Sequence, residues 1–499
     1  MLNFPKIHRP AGIWLMLLCL VGLPLRATSW AQETIAPEPG TLERKNRAPV
    51  SREMLRVTLP KPAEFKLKNG LTVLVMEDHR APFISVQLHI IGAGALFDPP
   101  ALPGLAGTTA QMLREGTNSR NSVELAEAID RLGAAISAGS SFGSSETVFS
   151  ASGLSDNFAE WFEIAADVLV NPSFPADELE KLKQRQRVQL RQQRSSANFL
   201  ASERFNRAVY KEHPAATITQ TENAIDALSP EVLAAWHRER YRPQNAILGI
   251  AGDVRRAQLI PWLEKWLAGW EAGGFQETWP RDPVPAADRR VFLVDRPNSV
   301  QTTVALGNIA IERRSPDYFP MIVMNHIIGS GTGRLFLNLR EEKGYTYGVY
   351  SDFTALHYPG AWRAGGNMRT EVTGAALSEF FKEIQRIGNE EVPAAELEAS
   401  KRAIAASFAL SLERPTAPLN FAILSKRYGF PPDYWDTYAE KIMAVSAADV
   451  RRVARKYLDP DNLQLVAVGD GDKIKAGLEK YGKVEVYDDA GRPVPAAIP

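Results

Sequence analysis

Two stretches of the chain read alike: "LSPEVLAAWHRERYRPQNAILGIAGD" (228–253) and "VSAADVRRVARKYLDPDNLQLVAVGD" (445–470). Their closing glycines, Gly252 and Gly469, lie 217 residues apart. A second pair, "FPADELEKLK" (174–183) and "VPAAELEASK" (392–401), has its prolines, Pro175 and Pro393, 218 residues apart. Two matches at nearly one offset point to an internal duplication. Each unit opens with a β-hairpin-like segment, "LTVLVMEDHRAPFISVQLHI" (71–90) in one and "VFLVDRPNSVQTTVALGNI" (291–309) in the other. Helices, a Ser- and Gly-rich strand region and further helices follow. A short β-branched run before Gly-Asp, "ILGIAG" or "LQLVAVG", reads as a closing strand. In "PAAELEASKRAIAASFALSLE", Leu397, Ile404, Phe408 and Leu412 recur near helical spacing after a proline start. The expected fold class is therefore α+β, as two tandem homologous domains, each an antiparallel sheet with flanking helices.

The 499 residues are ample for two cores, with 45% hydrophobic residues, and 58 basic side chains balance 58 acidic ones. No net field and no basic patch interleaved with aromatics favours nucleic acid. Lys6, His8 and Arg9 precede the apolar run "AGIWLMLLCLVGLPL" (11–25), and Ser29 and Ala31 sit at signal-peptidase spacing. Residues 1–31 thus read as a signal peptide, leaving no membrane span once it is removed. The single cysteine, Cys19, leaves with it, so the mature chain has neither disulfide nor thiolate ligand. Residues 32–60 form a Pro-rich N-terminal arm, 61–270 the first domain, and 271–289, "EAGGFQETWPRDPVPAADR", a linker. The second domain takes 290–485 and a C-terminal tail 486–499.

"GLAGTTAQMLREGT" (104–117), wound as a helix, puts Leu105, Thr109, Met112 and Leu113 on one stripe. Gly107, Ala110, Gln111 and Arg114 fall on the other, the kind of face where an inverted zinc-peptidase motif, His-x-x-Glu-His, holds its metal and polarises its water. A plainer account is a helix of small residues packed closely on a neighbour. With "PPALPGLAG" (99–107) before it and "MLREGT" (112–117) after it, the segment resembles the motif region of the pitrilysin and insulin-degrading-enzyme family, which includes the mitochondrial processing peptidases. The repeats and the "FP…ELE" helix start are similar too, so the resemblance covers residues 60 to 475 or thereabouts. It puts Gly107, Ala110 and Gln111 at the His, Glu and His positions. It also implies a third ligand, a Glu, in the helix after "FP…ELE", where "KLKQRQRVQLRQQRSSANFLAS" (181–202) has no acidic residue. His8, His79, His89, His213, His237, His326 and His357 offer no helical pair in compensation. No zinc and no other cofactor is expected in this chain.

"GSGTGRLFLNLREEKGYTYGVYSDF" (329–353) resembles the family's second signature. There an Arg and a Tyr seven residues apart project from the C-terminal half into the active site, and Arg340 and Tyr347 match them. Arg340 would hydrogen-bond the carbonyls of an extended peptide, and Tyr347 would donate to the oxyanion. Read without the resemblance, Arg340 suits a helix C-terminus, and Tyr347 alternates with Val349 and Phe353 like a core tyrosine. Gly329, Gly331 and Gly333 suggest a gating loop. "AGSSFGSSETVFSASG" (138–153) is an ordinary strand region or, as the resemblance implies, an edge to which a peptide adds as a strand. The resemblance implies a half-clamshell that pairs with a homologous subunit carrying the zinc, as a heterodimer or a pair of heterodimers acting on peptides. The signal peptide implies export, to the periplasm in preference to the extracellular medium. The alternative is a scaffold or peptide-binding protein of the same fold.

Overall fold

The computed structural model describes residues 56–495, so the expected signal segment and residues 32–55 of the arm lie outside the described residues. The first half contributes β1 (Ala63–Lys66), β2 (Thr72–Glu77), β3 (Phe83–Ile91), β4 (Ala135–Gly139), β5 (Glu146–Leu154) and β6 (Ala246–Gly252). The second contributes β7 (Val291–Asp295), β8 (Gln301–Ile309), β9 (Thr346–Phe353), β10 (Ala361–Arg369), β11 (Gln464–Gly469) and β12 (Val484–Tyr487). They form two six-stranded sheets, ordered β1-β2-β6-β3-β5-β4 and β12-β7-β11-β8-β10-β9. The orders correspond strand for strand, except that the edge beside β2 is taken by a strand from the N-terminal side and the edge beside β7 by one from the C-terminal side. Strand β12 runs across the 485/486 boundary read from the sequence, so the second domain extends through Tyr487.

The α+β class holds, and both sheets are predominantly antiparallel, with β2–β6, β7–β11 and β7–β12 parallel. The hairpin-like starts are not hairpins: β6 lies between β2 and β3, and β11 between β7 and β8. The reason is burial. "AILGIAG" and "QLVAVG" are apolar on both faces and buried almost throughout, so they take the interior of the sheet although they are made late in each half. The helices before them, Pro230–Arg240 and Ala447–Tyr457, both start on a serine cap, Ser229 and Ser446, whose hydroxyls accept from Val232 and Asp449 backbone N–H groups.

One face of each sheet carries the main core of its own half, around Trp161 and Leu88 in the first and Phe380 and Trp362 in the second. The opposite faces are covered by exchange. Helix Ala197–Tyr210 of the first half packs Phe205, Val209 and Leu200 on Phe292, Val294, Ala305 and Val466 of the second sheet. Helix Ala417–Tyr428 of the second half packs Leu419 and Ile423 on Leu74, Met76, Ile247 and Ala251 of the first. Each contact passes over a glycine: a Cβ at Gly249 would come within 2.7 Å of Ile423 Cδ1, and one at Gly307 within 3.0 Å of the Phe205 ring. The seam is closed by Tyr358, whose hydroxyl donates to the Gly143 carbonyl (2.8 Å), and by Tyr210, whose oxygen accepts from Ala361 N–H (3.0 Å).

The elements leading to Arg340 are tied from behind. Asp317, buried ahead of helix Tyr318–Gly329, accepts from Arg452 (2.6 Å), Lys456 (2.9 Å) and Tyr457 (2.7 Å) on helix Ala447–Tyr457. Burial works to raise its carboxyl, but these donors outweigh it and hold the group at about 2, below the ordinary 3.8. A depressed carboxylate stabilises the fold above its unfolded value and loses that contribution as pH falls through the folded one. The stability gap between the wild type and Asp317→Asn, followed by thermal melting, is expected to be constant above pH 5 and to close between pH 4 and about 2. Ile423→Ala is expected to cost about 2–5 kcal/mol. Its signature in amide hydrogen exchange should be lost protection in β2 and β6, which belong to the other half from the mutated helix.

Candidate functional site

Helix Tyr318–Gly329 delivers the chain into the Gly-rich turn. Gly329 and Gly333 are buried there, and of the three glycines only Gly331 is exposed to solvent. The next helix, Phe336–Glu342, is wound as a π-helix, with Lys343 N–H donating to the Asn338 carbonyl five residues back (3.0 Å). Its side chains fall in three rows. Leu335 and Leu339 enter the core, and Arg334 and Asn338 face helices Ala394–Ser411 and Thr373–Asn389. Phe336 and Arg340 share the outer row, with the Arg340 guanidinium carbon 4.7 Å from the centre of the Phe336 ring.

The same guanidinium lies 5.0 Å from the centre of the Tyr347 ring. Strand alternation alone would bury Tyr347 beside Val349, yet Val349 is 5% exposed and Tyr347 is 88% exposed. A β-bulge accounts for the difference. Thr346 pairs with Met368 and Gly348 with Asn367, which leaves Tyr347 as the extra residue with no partner opposite. The bulge aims its side chain away from the core. Tyr347 stands on the wall of a concavity of about 820 Å³, lined also by Gln301, Tyr345, Tyr350, Asn367 and Arg369, and the Arg340 guanidinium lies against its ring. The pair offers a fork of N–H donors, whose Nε lies 3.5 Å from the exposed Glu341 carboxylate, and a phenol, groups of the kind that meet a carbonyl or a developing oxyanion.

Helix Leu105–Met112 carries the other predicted positions. Its entrance is fixed by Asp98, which accepts from Gly104 N–H (2.7 Å) and Ala106 N–H (2.9 Å). Leu105, Thr109, Met112 and Leu113 are buried as expected. Ala110 is buried as well, at 0% exposure, so it does not stand on an open face with Gln111 and Arg114. A Cβ at Gly107 would lie 3.1 Å from the Ser140 carbonyl oxygen. From the expected third-ligand region, Gln186 reaches this helix and donates to Thr108 Oγ1 (2.9 Å), as does Gln220 (3.2 Å). Where a zinc site would need imidazoles and carboxylates, these residues supply amides and one hydroxyl, and the segment beside Ser140 closes the approach to Gly107. The donor set does not fit zinc.

Beside Gln111 lies a second, serine-rich concavity of about 560 Å³, lined by Ser137, Ser140, Ser144, Ser150 and Glu146. Glu146 is anchored across the seam, paired with Arg427 (2.9 Å) and hydrogen-bonded to His89 (3.2 Å). This triad was not legible in the sequence, because its members come from β5, β3 and the exchanged helix of the other half. The two concavities share no lining residue, so Tyr347 and Gln111 line different concavities. Elsewhere His79 pairs with Asp253 (2.7 Å), and burial lowers His213, His326 and His357 and brings His237 down to about 4. Among the described residues no group of three or more His, Cys, Asp or Glu is placed to hold a metal ion. Ala110→Glu, which forces a carboxylate into a filled site, is expected to destabilise the chain by about 3 kcal/mol or more in denaturant titration, whereas Gln111→Glu at the exposed neighbour should change stability by less than about 0.5 kcal/mol.

Residues 72–222 match the family model described as insulinase (peptidase family M16), and residues 227–404 match the one described as peptidase M16 inactive domain. An uncharacterised zinc protease of Bacillus subtilis is 24% identical over 410 residues, covering 80% of this chain and 96% of the relative. A probable mitochondrial-processing peptidase subunit beta of Schizosaccharomyces pombe is 25% identical over 465 residues, covering 89% and 98%. Among solved structures, a peptidase M16 inactive domain from Pseudomonas fluorescens superposes with a TM-score of 0.74 at 25% identity, covering 82% of this chain and 98% of that one. A protease from Helicobacter pylori shares the fold, with a TM-score of 0.75 at 19% identity over 83% and 100%. With both models matched in tandem and the fold shared along nearly the full length of these relatives, the chain belongs to the insulinase (M16) peptidase family.

Proposed function

We propose that this chain is the zinc-free subunit of a two-chain zinc peptidase, exported to the periplasm, and that it supplies Arg340 and Tyr347 to a homologous partner that carries the metal. The observation that carries the reading is the asymmetry between its two halves. The helix that would hold a metal offers no suitable donor set, while Tyr347 is held 88% exposed on a bulge against the Arg340 guanidinium. A tyrosine so placed contributes little to stability and is suited to meeting a substrate. In this reading Arg340 holds the carbonyls of an extended peptide with several N–H donors, and Tyr347 donates its phenol proton to the oxyanion as it forms. Zinc on the partner would supply the activated water, so neither chain is active alone. The corresponding strand orders of the two halves, together with the repeated sequence stretches, favour descent by duplication.

The test is affinity capture of the tagged chain from its host, followed by assay of the recovered complex on unfolded peptides. A stoichiometric partner of similar size with an intact His-x-x-Glu-His is the expected result. Tyr347→Phe should then lower kcat by about 10²–10³-fold, and Arg340→Ala should lower kcat/KM by a comparable factor, with the complex still intact on size exclusion. Unchanged turnover in both variants would turn the reading toward a scaffold or peptide-binding protein of the same fold. The purified chain alone is expected to retain less than 0.1 equivalent of zinc, roughly the background of a protein without a three-ligand site, after dialysis against a weak chelator. Stoichiometric retention with chelator-sensitive cleavage would overturn the division of labour.

A further inference from the structure

Arg340 owes its direction to the winding of helix Phe336–Glu342, and π-helical winding is rare and confined mostly to single turns, so the contacts that hold it bear directly on where Arg340 points. Two residues before Arg340, the Asn338 side chain is 7% exposed. Its Nδ2 donates to Glu379 Oε2 (2.8 Å) and to Glu383 Oε1 (2.9 Å), one turn apart on helix Thr373–Asn389. Both bonds are charge-assisted. Glu383 is itself 3% exposed, and its other oxygen has only the Arg386 guanidinium, at 3.5 Å. Glu379 is further neutralised by Lys382 (3.2 Å), and its carboxyl is lowered chiefly by the Asn338 hydrogen bond. One turn earlier, Arg334 makes a two-pronged pair with Glu396 (2.8 and 2.8 Å) on helix Ala394–Ser411. The π-turn is therefore pinned on its inner side by Asn338, and the helical turn just ahead of it by Arg334 in the same row, while Arg340 and Phe336 occupy the neighbouring row.

We infer that Asn338 is a positioning residue for Arg340: by bridging Glu379 and Glu383 it locks the π-winding that holds the guanidinium against Tyr347. The inference rests on the reading of Arg340 and Tyr347 as the substrate-facing pair. Asn338 touches no substrate in it. An amide suits the place because a neutral N–H₂ satisfies two carboxylates at once, whereas an aspartate would add a third negative charge and an aliphatic side chain would leave the buried Glu383 Oε1 without its donor.

The test has two independent arms on the full chain. In the first, amide hydrogen exchange is measured for Asn338→Leu and for Asn338→Leu combined with Glu383→Gln, which removes the stranded buried charge. Lys343 and Tyr345, whose N–H groups donate to Asn338 and Leu339 carbonyls, should lose protection at least 10-fold in both variants, while helix Thr373–Asn389 stays protected in the double variant. Unchanged protection at Lys343 and Tyr345 would overturn the inference. In the second arm, the captured complex is assayed with Asn338→Leu, Arg340→Ala and the two together. If Asn338 acts through Arg340, its substitution lowers turnover in the wild type and has no further effect beside Arg340→Ala; independent, multiplying losses would assign it a purely structural part. If Arg340→Ala alone leaves turnover unchanged, the functional reading fails, and the exchange arm still decides whether Asn338 sets the winding.

Discussion

The architecture hangs on a reciprocal trade of helices. Sheet faces built from Leu74, Met76, Ile247 and Ala251 in one half, and from Phe292, Val294, Ala305 and Val466 in the other, are too apolar to face water. Neither half covers its own. Each lends a helix to the other, over a glycine that lets the helix approach, and the two halves become one body. From that constraint follow the positions of the polar remainders of both sheets. Once the exchanged helices cover the β2/β6 and β7/β11 sides, the polar ends at β4–β5 and β9–β10 are left to line the two concavities.

Much of this was legible in the sequence, for identifiable reasons. The tandem α+β plan came through because each half repeats a Pro-started helix and a β-branched run closing on Gly-Asp, signals that depend on neighbours in the chain. What local pattern cannot carry is the order of strands. The segments 71–90 and 291–309 read as hairpins because their strands are consecutive, and only the double-sided burial of β6 and β11 explains why a late strand comes between them. The helical wheel for residues 104–117 put Ala110 on an open face. The structure buries Ala110 completely, and it brings the Ser140 carbonyl, more than thirty residues on, against the neighbouring Gly107.

Tyr347 shows the limit most clearly. Period-two reasoning made it equivalent to Val349, and no residue of the strand announces the bulge that separates them, since the extra residue is defined by the register of β10 opposite. The resemblance to a known family has this side chain projecting outward where periodicity would bury it, and it is exposed. Conversely, neither source pointed to Glu146, Arg427 and His89, whose meeting depends on the exchanged helix, or to Asn338, which reads in the sequence as an unremarkable polar position in "RLFLNLRE".

The trade of helices also has a meaning in time. During synthesis the first sheet is complete once β6 has emerged at residue 252, but the helix that shields it arrives only at Ala417–Tyr428. For the length of chain between, a nascent molecule carries a finished sheet with a bare greasy face. Such an intermediate is prone to clump or to seize the wrong strand, and its closing contacts are distant in sequence and therefore slow to form. A chain built this way benefits from folding only when whole. Cut at its linker, it would yield two adhesive fragments where the sequence map draws two domains.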